Sequence, residues 1–307
     1  MLRIGTDCSG IEAPIQALKN LGIPFSHEFS SDIDKYCIQS IKANYEPKIL
    51  FGDPDGSFPC GDITKRDIKD VPDIDLYVCG FPCQPFSTAG QRTGLDHKSG
   101  TVFWSCLNVI KVKRPKYFIL ENVKGLLSNN KGRTWTIIRQ ELEKLDNYTV
   151  EWKVVNTKDH GIPQQRARLF IVGTKESFEW PEESEVCKPL ADFVDRHSTE
   201  THTLTTRHKN YIKKLNDNVV FVDFGFASFD MKKKHLNRMY TVYSPCIVRE
   251  NRMWCVPEHR RATCGELLAL QGFPEQFIQV VSDSQMKKQA GNSMSVNVLE
   301  KIIKNIV

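Results

Sequence analysis

A chain of 307 residues, 40% hydrophobic and 26% charged, carries enough apolar material for one large or two modest cores. No apolar run approaches a membrane span, and the start, Met1-Leu2-Arg3-Ile4-Gly5, enters a strand-like segment without a secretory signal pattern, so a cytoplasmic protein without membrane attachment is expected. The formal net charge of +5 permits a polyanionic partner without demanding one, and ten scattered cysteines without a CxxC pair predict reduced thiols and no metal site.

The first half alternates strand and helix patterns. Residues 2–6 read as a strand and 11–21 as a helix with Ile11, Ile15 and Leu18 on one face. Residues 25–30 and 35–43 repeat the pair. Two short apolar runs, 74–79 and 117–120, flank a helix at 102–111; a further helix at 134–145 and strands at 149–156 and 169–173 follow. Repeated β-α-β predicts an α/β fold, a doubly wound, mostly parallel sheet with helices on both faces. After Gly173 the regularity fades. Residues 176–185 are acidic and proline-broken, and strand-like pieces with basic and aromatic residues run on to about Pro257. Helices are expected again at 263–270, stopped by Gly272-Phe273-Pro274, and at 295–306. The domain expectation is therefore a first domain of 1–177 completed by 285–307, with a second, smaller domain and hinge at 178–284.

Gly80-Phe81-Pro82-Cys83-Gln84-Pro85-Phe86-Ser87 sets a cysteine between two prolines just past an apolar strand. Proline fixes φ and cannot donate to a ladder, so the chain leaves the sheet there. Open α/β sheets place their ligands at such a carboxyl edge; a buried structural thiol is the alternative. Asp7-Cys8-Ser9-Gly10 puts a glycine turn after the first strand, where backbone N–H groups can face a ligand. Asp32 ends the second strand, where an acid can hold ribose hydroxyls, or else it caps the helix starting near Asp34. Gly61-Asp62-Ile63 is a third candidate turn, and Glu121-Asn122-Val123 brings a carboxyl group to the end of another strand.

In this order the segments resemble the motifs of the cytosine-C5 DNA methyltransferases, and the resemblance covers nearly the whole chain. The octapeptide resembles the catalytic loop, and Gly10 the first glycine of the cofactor turn. Gln164-Gln165-Arg166-Ala167-Arg168 matches a Gln-x-Arg-x-Arg motif. Residues 261–274 resemble the motif that organises the recognition lobe, and Gln289-Ala290-Gly291-Asn292-Ser293-Met294-Ser295-Val296 the last motif. The resemblance implies a Rossmann-like methyltransferase that uses S-adenosyl-L-methionine and acts on double-stranded DNA. It makes Cys83 the nucleophile toward cytosine C6 and Glu121 the acid at ring N3. Arg168 would contact the target cytosine and its phosphate, and Arg166 would help fix the catalytic loop and backbone. Cys8, Ser9, Gly10, Asn292 and Ser293 would contact the cofactor, Asp32 its ribose, Ile33 its adenine face, and Asp62 and Ile63 the adenine edge. Arg261 and Glu266 are expected to be structural. The chain departs from the pattern at Glu12, where a second glycine is usual, and at Cys8, where an aromatic often packs.

The polar, glycine-punctuated run from Ser87 to Gly94 is expected to close over a flipped base, and residues 203–207 and 232–238 are the expected DNA contact segments. Without regulatory extensions the chain resembles the modification half of a bacterial or viral restriction–modification pair. It would act as a monomer on the same site as a cognate endonuclease, without a stable complex. Two alternatives stay open. A tRNA cytosine-5 methyltransferase is opposed by Gly80-Phe81 ahead of Pro82-Cys83 and by the lack of that branch's Cys-Phe-Thr signature. A catalytically inactive DNA-binding regulator is opposed by intact Cys83, Glu121 and Arg168, though Glu12 speaks for it.

Overall fold

Strand β1 (Leu2–Asp7) buries its last four residues in succession. Unbroken burial, rather than alternation, marks a strand covered on both faces, as a parallel sheet with flanking helices requires. Helix α1 (Ala13–Leu21) follows, with proline in its first turn and Gly22 closing it in the left-handed region. The computed structural model describes residues 1–82, 102–183, 187–215, 218–225, 242–250 and 252–307. Within them the alternation continues through β2 (Phe25–Ser31), α2 (Lys35–Asn44), β3 (Ile49–Phe51), β4 (Leu76–Cys79), α3 (Val102–Lys113), β5 (Tyr117–Val123), α4 (Arg133–Glu143), β6 (Thr149–Asn156) and β7 (Ala167–Thr174).

These strands form one seven-stranded sheet in the order β3-β2-β1-β4-β5-β7-β6. From β3 to β5 each neighbouring pair is parallel, and β7 runs antiparallel to β5. The expected doubly wound, mostly parallel sheet is present. Chain order reverses between β1 and β4, the switch point at which a ligand crevice opens beyond the strand ends. Strand β5 extends past the expected 117–120 because Glu121 and Asn122, although polar, continue the ladder opposite Phe170 and Leu169. Phe29, Phe51, Phe103, Phe118 and Phe170 are fully buried around this sheet.

One ion pair lies inside that core. Arg66 donates from Nη1 and Nη2 to Asp7 Oδ1 and Oδ2, both at 2.8 Å, and Tyr77 Oη donates to Oδ2 at 2.8 Å. The guanidinium also lies 4.5 Å from the centroid of the Phe51 ring. Truncating Arg66 would strand a buried carboxylate. Arg66→Ala is therefore expected to cost about 3–5 kcal/mol in urea unfolding, and a loss below about 1 kcal/mol would show the pair to be no better than a surface one.

The chain groups into two compact units, one of residues 1–155, 167–181 and 299–307, the other of 156–166 and 182–298. In the second, β8 (Phe221–Asp223), β9 (Met253–Cys255) and β10 (Arg260–Arg261) form a small antiparallel sheet ordered β10-β9-β8. Among its described residues are the helices α5 (Thr206–Ile212), α6 (Cys264–Leu270) and α7 (Asp283–Asn292). The division falls inside the last helix, α8 (Val296–Lys304). Residues 156–166 and 285–298, expected with the first domain, belong to this second unit for a visible reason: Gln164 and Arg166 are bonded to its carbonyls. Gln164 Nε2 donates to Leu270 O at 2.7 Å, and Arg166 donates to Ile247 O and Ser293 O, each at 2.6 Å.

Of the two residues expected to be structural, Glu266 takes Arg260 rather than Arg261 as its partner. Arg260 donates to both Glu266 oxygens, at 3.0 and 2.7 Å, while Arg261 is exposed. Glu266 also completes a capping box with Thr263 at the start of α6. No described helix is long and apolar enough to cross a membrane.

Candidate active site

The carboxyl ends of β1 and β2 carry Cys8, Ser9, Gly10, Asp32 and Ile33 of the expected cofactor residues. Cys8, Gly10 and Glu12 all have positive φ, at 50°, 57° and 59°, so the chain after β1 turns tightly before α1 begins. Backbone and side chain stitch this turn to the end of β2. Ser9 N–H donates to Ser31 O at 3.0 Å, and Gly10 N–H donates to Asp32 Oδ2 at 2.8 Å. Asp34, not Asp32, caps α2, through Tyr36 N–H at 2.9 Å. Asp32 is thereby released from the capping alternative. Burial pushes its carboxyl group above the usual range, against the pull of bonds from the Asp34 and Gly10 amides.

Ile33 next to it is 79% exposed. Gly61 explains itself by crowding: a Cβ there would lie 1.9 Å from Asp32 O, so only glycine lets the two backbones meet. Asp62 accepts from Thr64 N–H and Oγ1 at 3.0 and 2.7 Å, whereas Ile63 turns into the core. A carboxylate able to take vicinal hydroxyls, with an open aliphatic face beside it, fits an adenosyl group.

Glu121, two residues before the end of β5, is buried. Glu121 is paired across the ladder with Phe170 of β7; Arg168, two residues from Phe170 and so on the same face, brings its Nε to 3.3 Å from Glu121 Oε1. The adjacent Asn122 donates from Nδ2 to Phe81 O at 2.8 Å, and Phe81 packs on Phe103 with ring centroids 5.5 Å apart. The chain is thus pinned two residues before Cys83. Sequence reasoning missed Asn122, although its place beside Glu121 was the available signal. Cys83 itself and the Ser87 to Gly94 run lie outside the described residues, as do residues 232–238.

Three of the described thiols, all of them buried, make poor rivals for the nucleophile role. Burial pushes Cys79 well above the ordinary thiol range, Cys255 to about 11 and Cys264 to about 12.

Other expected site residues fall in the second unit. Arg166 is buried, its guanidinium spent on main-chain carbonyls. Asn292 is exposed at the end of α7, and Ser293 is buried with Oγ donating to Met294 O at 2.9 Å. Residues 203–207 include Thr205, which caps α5, and the exposed Arg207.

A doubly wound sheet with its switch point between β1 and β4, and a glutamate and an arginine near the strand end beside Phe81, is the frame of a Rossmann-like group-transfer enzyme. Residues 7–307 match the C-5 cytosine-specific DNA methylases, and the chain belongs to that family. It is a DNA cytosine-5 methyltransferase. Among its relatives, the Type II methyltransferase M.SsoII of Shigella sonnei is 37% identical over 292 residues, covering 91% of this chain and 73% of that one. M.NgoBI of Neisseria gonorrhoeae, also a Type II methyltransferase, is 37% identical over 283 residues, covering 89% and 83%. A DNMT2 protein of Spodoptera frugiperda shares the fold, with a TM-score of 0.74 at 16% identity over 100% of this chain and 99% of that one.

Proposed function

We propose that the enzyme moves a methyl group from S-adenosyl-L-methionine to C5 of a cytosine flipped out of double-stranded DNA, within a short specific sequence, through a covalent bond from Cys83 to C6. The observation that carries this reading is the end of β5. There Glu121 faces Arg168 at 3.3 Å while Asn122 holds Phe81, two residues before Cys83, which supports an acid and the nucleophile acting at one sheet edge.

Cytosine C5 is too weak a nucleophile to take a methyl group unaided. Addition of the Cys83 thiolate to C6 gives C5 enamine character, and Glu121 at ring N3 supplies the proton that balances the incoming charge. The cofactor contributes an electrophilic sulfonium methyl. Loss of the C5 proton to base, with cleavage of the C6–S bond and return of the N3 proton to Glu121, then restores the neutral aromatic ring and frees the thiolate. Asp32 would hold the ribose hydroxyls and Ile33 the adenine face, with Cys8, Ser9, Gly10, Asp62, Asn292 and Ser293 as further contacts. Arg168 would reach the target base or its phosphate, because a guanidinium offers several donors at constant charge. Flipping costs a few kcal/mol, roughly, and is repaid in the closed site. The names of the relatives support a place in a restriction–modification pair, with this chain as a monomeric modification enzyme.

The test uses labelled cofactor and duplexes carrying 5-fluorocytosine in varied contexts. Fluorine at C5 blocks the final elimination, so a methylated DNA adduct on Cys83 is expected, and the reactive contexts reveal the target. Transfer to tRNA with no DNA adduct would replace the substrate; transfer to neither would leave a DNA-binding regulator.

A further inference from the structure

Glu12 stands where its family usually has glycine, and its surroundings give it a task. Its backbone is left-handed, with φ 59° and ψ 49°, a conformation that suits glycine, yet its side chain is fully buried. Glu12 Oε1 accepts from Thr6 Oγ1 and from Ser30 Oγ, both at 2.5 Å. A hydroxyl has a single proton, so these two bonds set the direction of those behind them. Thr6 Oγ1 is then free only to accept, from Ser9 Oγ 2.7 Å away, whose proton has the Thr6 carbonyl at 3.1 Å as its other acceptor; Ser30 Oγ accepts from His27 Nε2, 2.8 Å away and itself 3.7 Å from Glu12 Oε1. Ser9 Oγ in turn accepts from Ser31 N–H at 2.9 Å. Two donor chains, from the cofactor turn and from β2, therefore converge on one carboxylate oxygen. The other, Oε2, is buried without a hydrogen-bond partner among the described residues.

We propose that Glu12 is a positioning residue for the cofactor. Its Oε1 is the terminal acceptor that orients Ser9, and Ser9 clamps the turn to Ser31 beside the Gly10–Asp32 bond. This inference rests on the S-adenosyl-L-methionine reading above. Without a terminal acceptor the Thr6 and Ser30 protons lose their common target, and the polarised chain that orders Ser9 is broken. Glycine at position 12 would relax the backbone and remove the acceptor at once, so stability and cofactor affinity should part company.

The experiment compares full-length wild type, Glu12→Gly and Glu12→Gln. Calorimetry gives the Kd for S-adenosyl-L-methionine, kinetics on duplex DNA give kcat and both KM values, and thermal unfolding gives Tm. Glu12→Gly should raise the cofactor Kd and KM by about tenfold or more, with kcat at saturating cofactor within about twofold, an unchanged KM for DNA, and an unreduced Tm. Glu12→Gln keeps an acceptor oxygen for Thr6 and Ser30 and places its amide where Oε2 already lacks a partner. It should therefore stay within about threefold of wild type. Cofactor binding by Glu12→Gly as tight as wild type would overturn the inference and leave the function standing. A lower Tm with equal weakening in both variants would overturn it in favour of a merely structural role. Wild type that binds no S-adenosyl-L-methionine would overturn the cofactor reading and this inference with it.

Discussion

Replacing Cys83 with alanine is expected to abolish methyl transfer while leaving duplex binding largely intact. Covalent addition at C6 is what makes C5 reactive, and no other step in the scheme substitutes for it. Residual turnover should fall below about one part in 10⁴ of wild type, the scale on which loss of a nucleophile shows when its partners act with it as a unit. Nearby thiols cannot take over: Cys79, four residues earlier, is buried with its thiol held well above the ordinary range, and Cys106 Sγ lies 3.2 Å from it in the same core. DNA binding draws instead on phosphate and groove contacts, which the substitution leaves alone. Single-turnover transfer paired with a DNA-binding titration separates the two effects. Turnover above a few per cent of wild type would remove Cys83 from the nucleophile role.

Features set by one residue's local chemistry were legible in the sequence. Gly10 and Gly61 announce turns because their positions exclude a side chain, by φ in one case and by the Asp32 carbonyl in the other. The parallel sheet is legible where its central strands are apolar, in Leu76–Cys79 and in the first four residues of β5. What was hidden depends on which of two similar neighbours faces inward. Arg260 and Arg261 are adjacent on a two-residue strand, and strand alternation buries one while exposing the other. Asp32 and Asp34 present the same choice at a helix start, settled by the bond from Tyr36 to Asp34. Strand β3, three residues long, offers too little sequence for a period of two to register. Arg166 reads as a basic residue available for chemistry, yet long-range carbonyls from residues 247 and 293 claim its guanidinium. Sequence spacing cannot reveal partners so far away along the chain.

Glu121→Gln should slow the chemical step by roughly 10²–10⁴ without a matching loss of cofactor affinity. The two side chains are nearly isosteric, and an amide oxygen can accept from Arg168 Nε in the place of Glu121 Oε1, now 3.3 Å away. Shape and the strand β5 ladder are therefore retained, and what disappears is the capacity to hold and deliver a proton. A glutamine amide can still donate a hydrogen bond toward an acceptor such as ring N3, so ground-state binding of the base should change little. The loss should fall on kcat and on kcat/KM together, the pattern of an interaction made only in the transition state. The measurement is pre-steady-state transfer at saturating cofactor and DNA, beside calorimetric binding of each. A near-wild-type rate would refute the acid role. A rate loss matched by weaker cofactor binding would instead make Glu121 a support for the crevice between β1 and β4, and would leave protonation of the ring to another group.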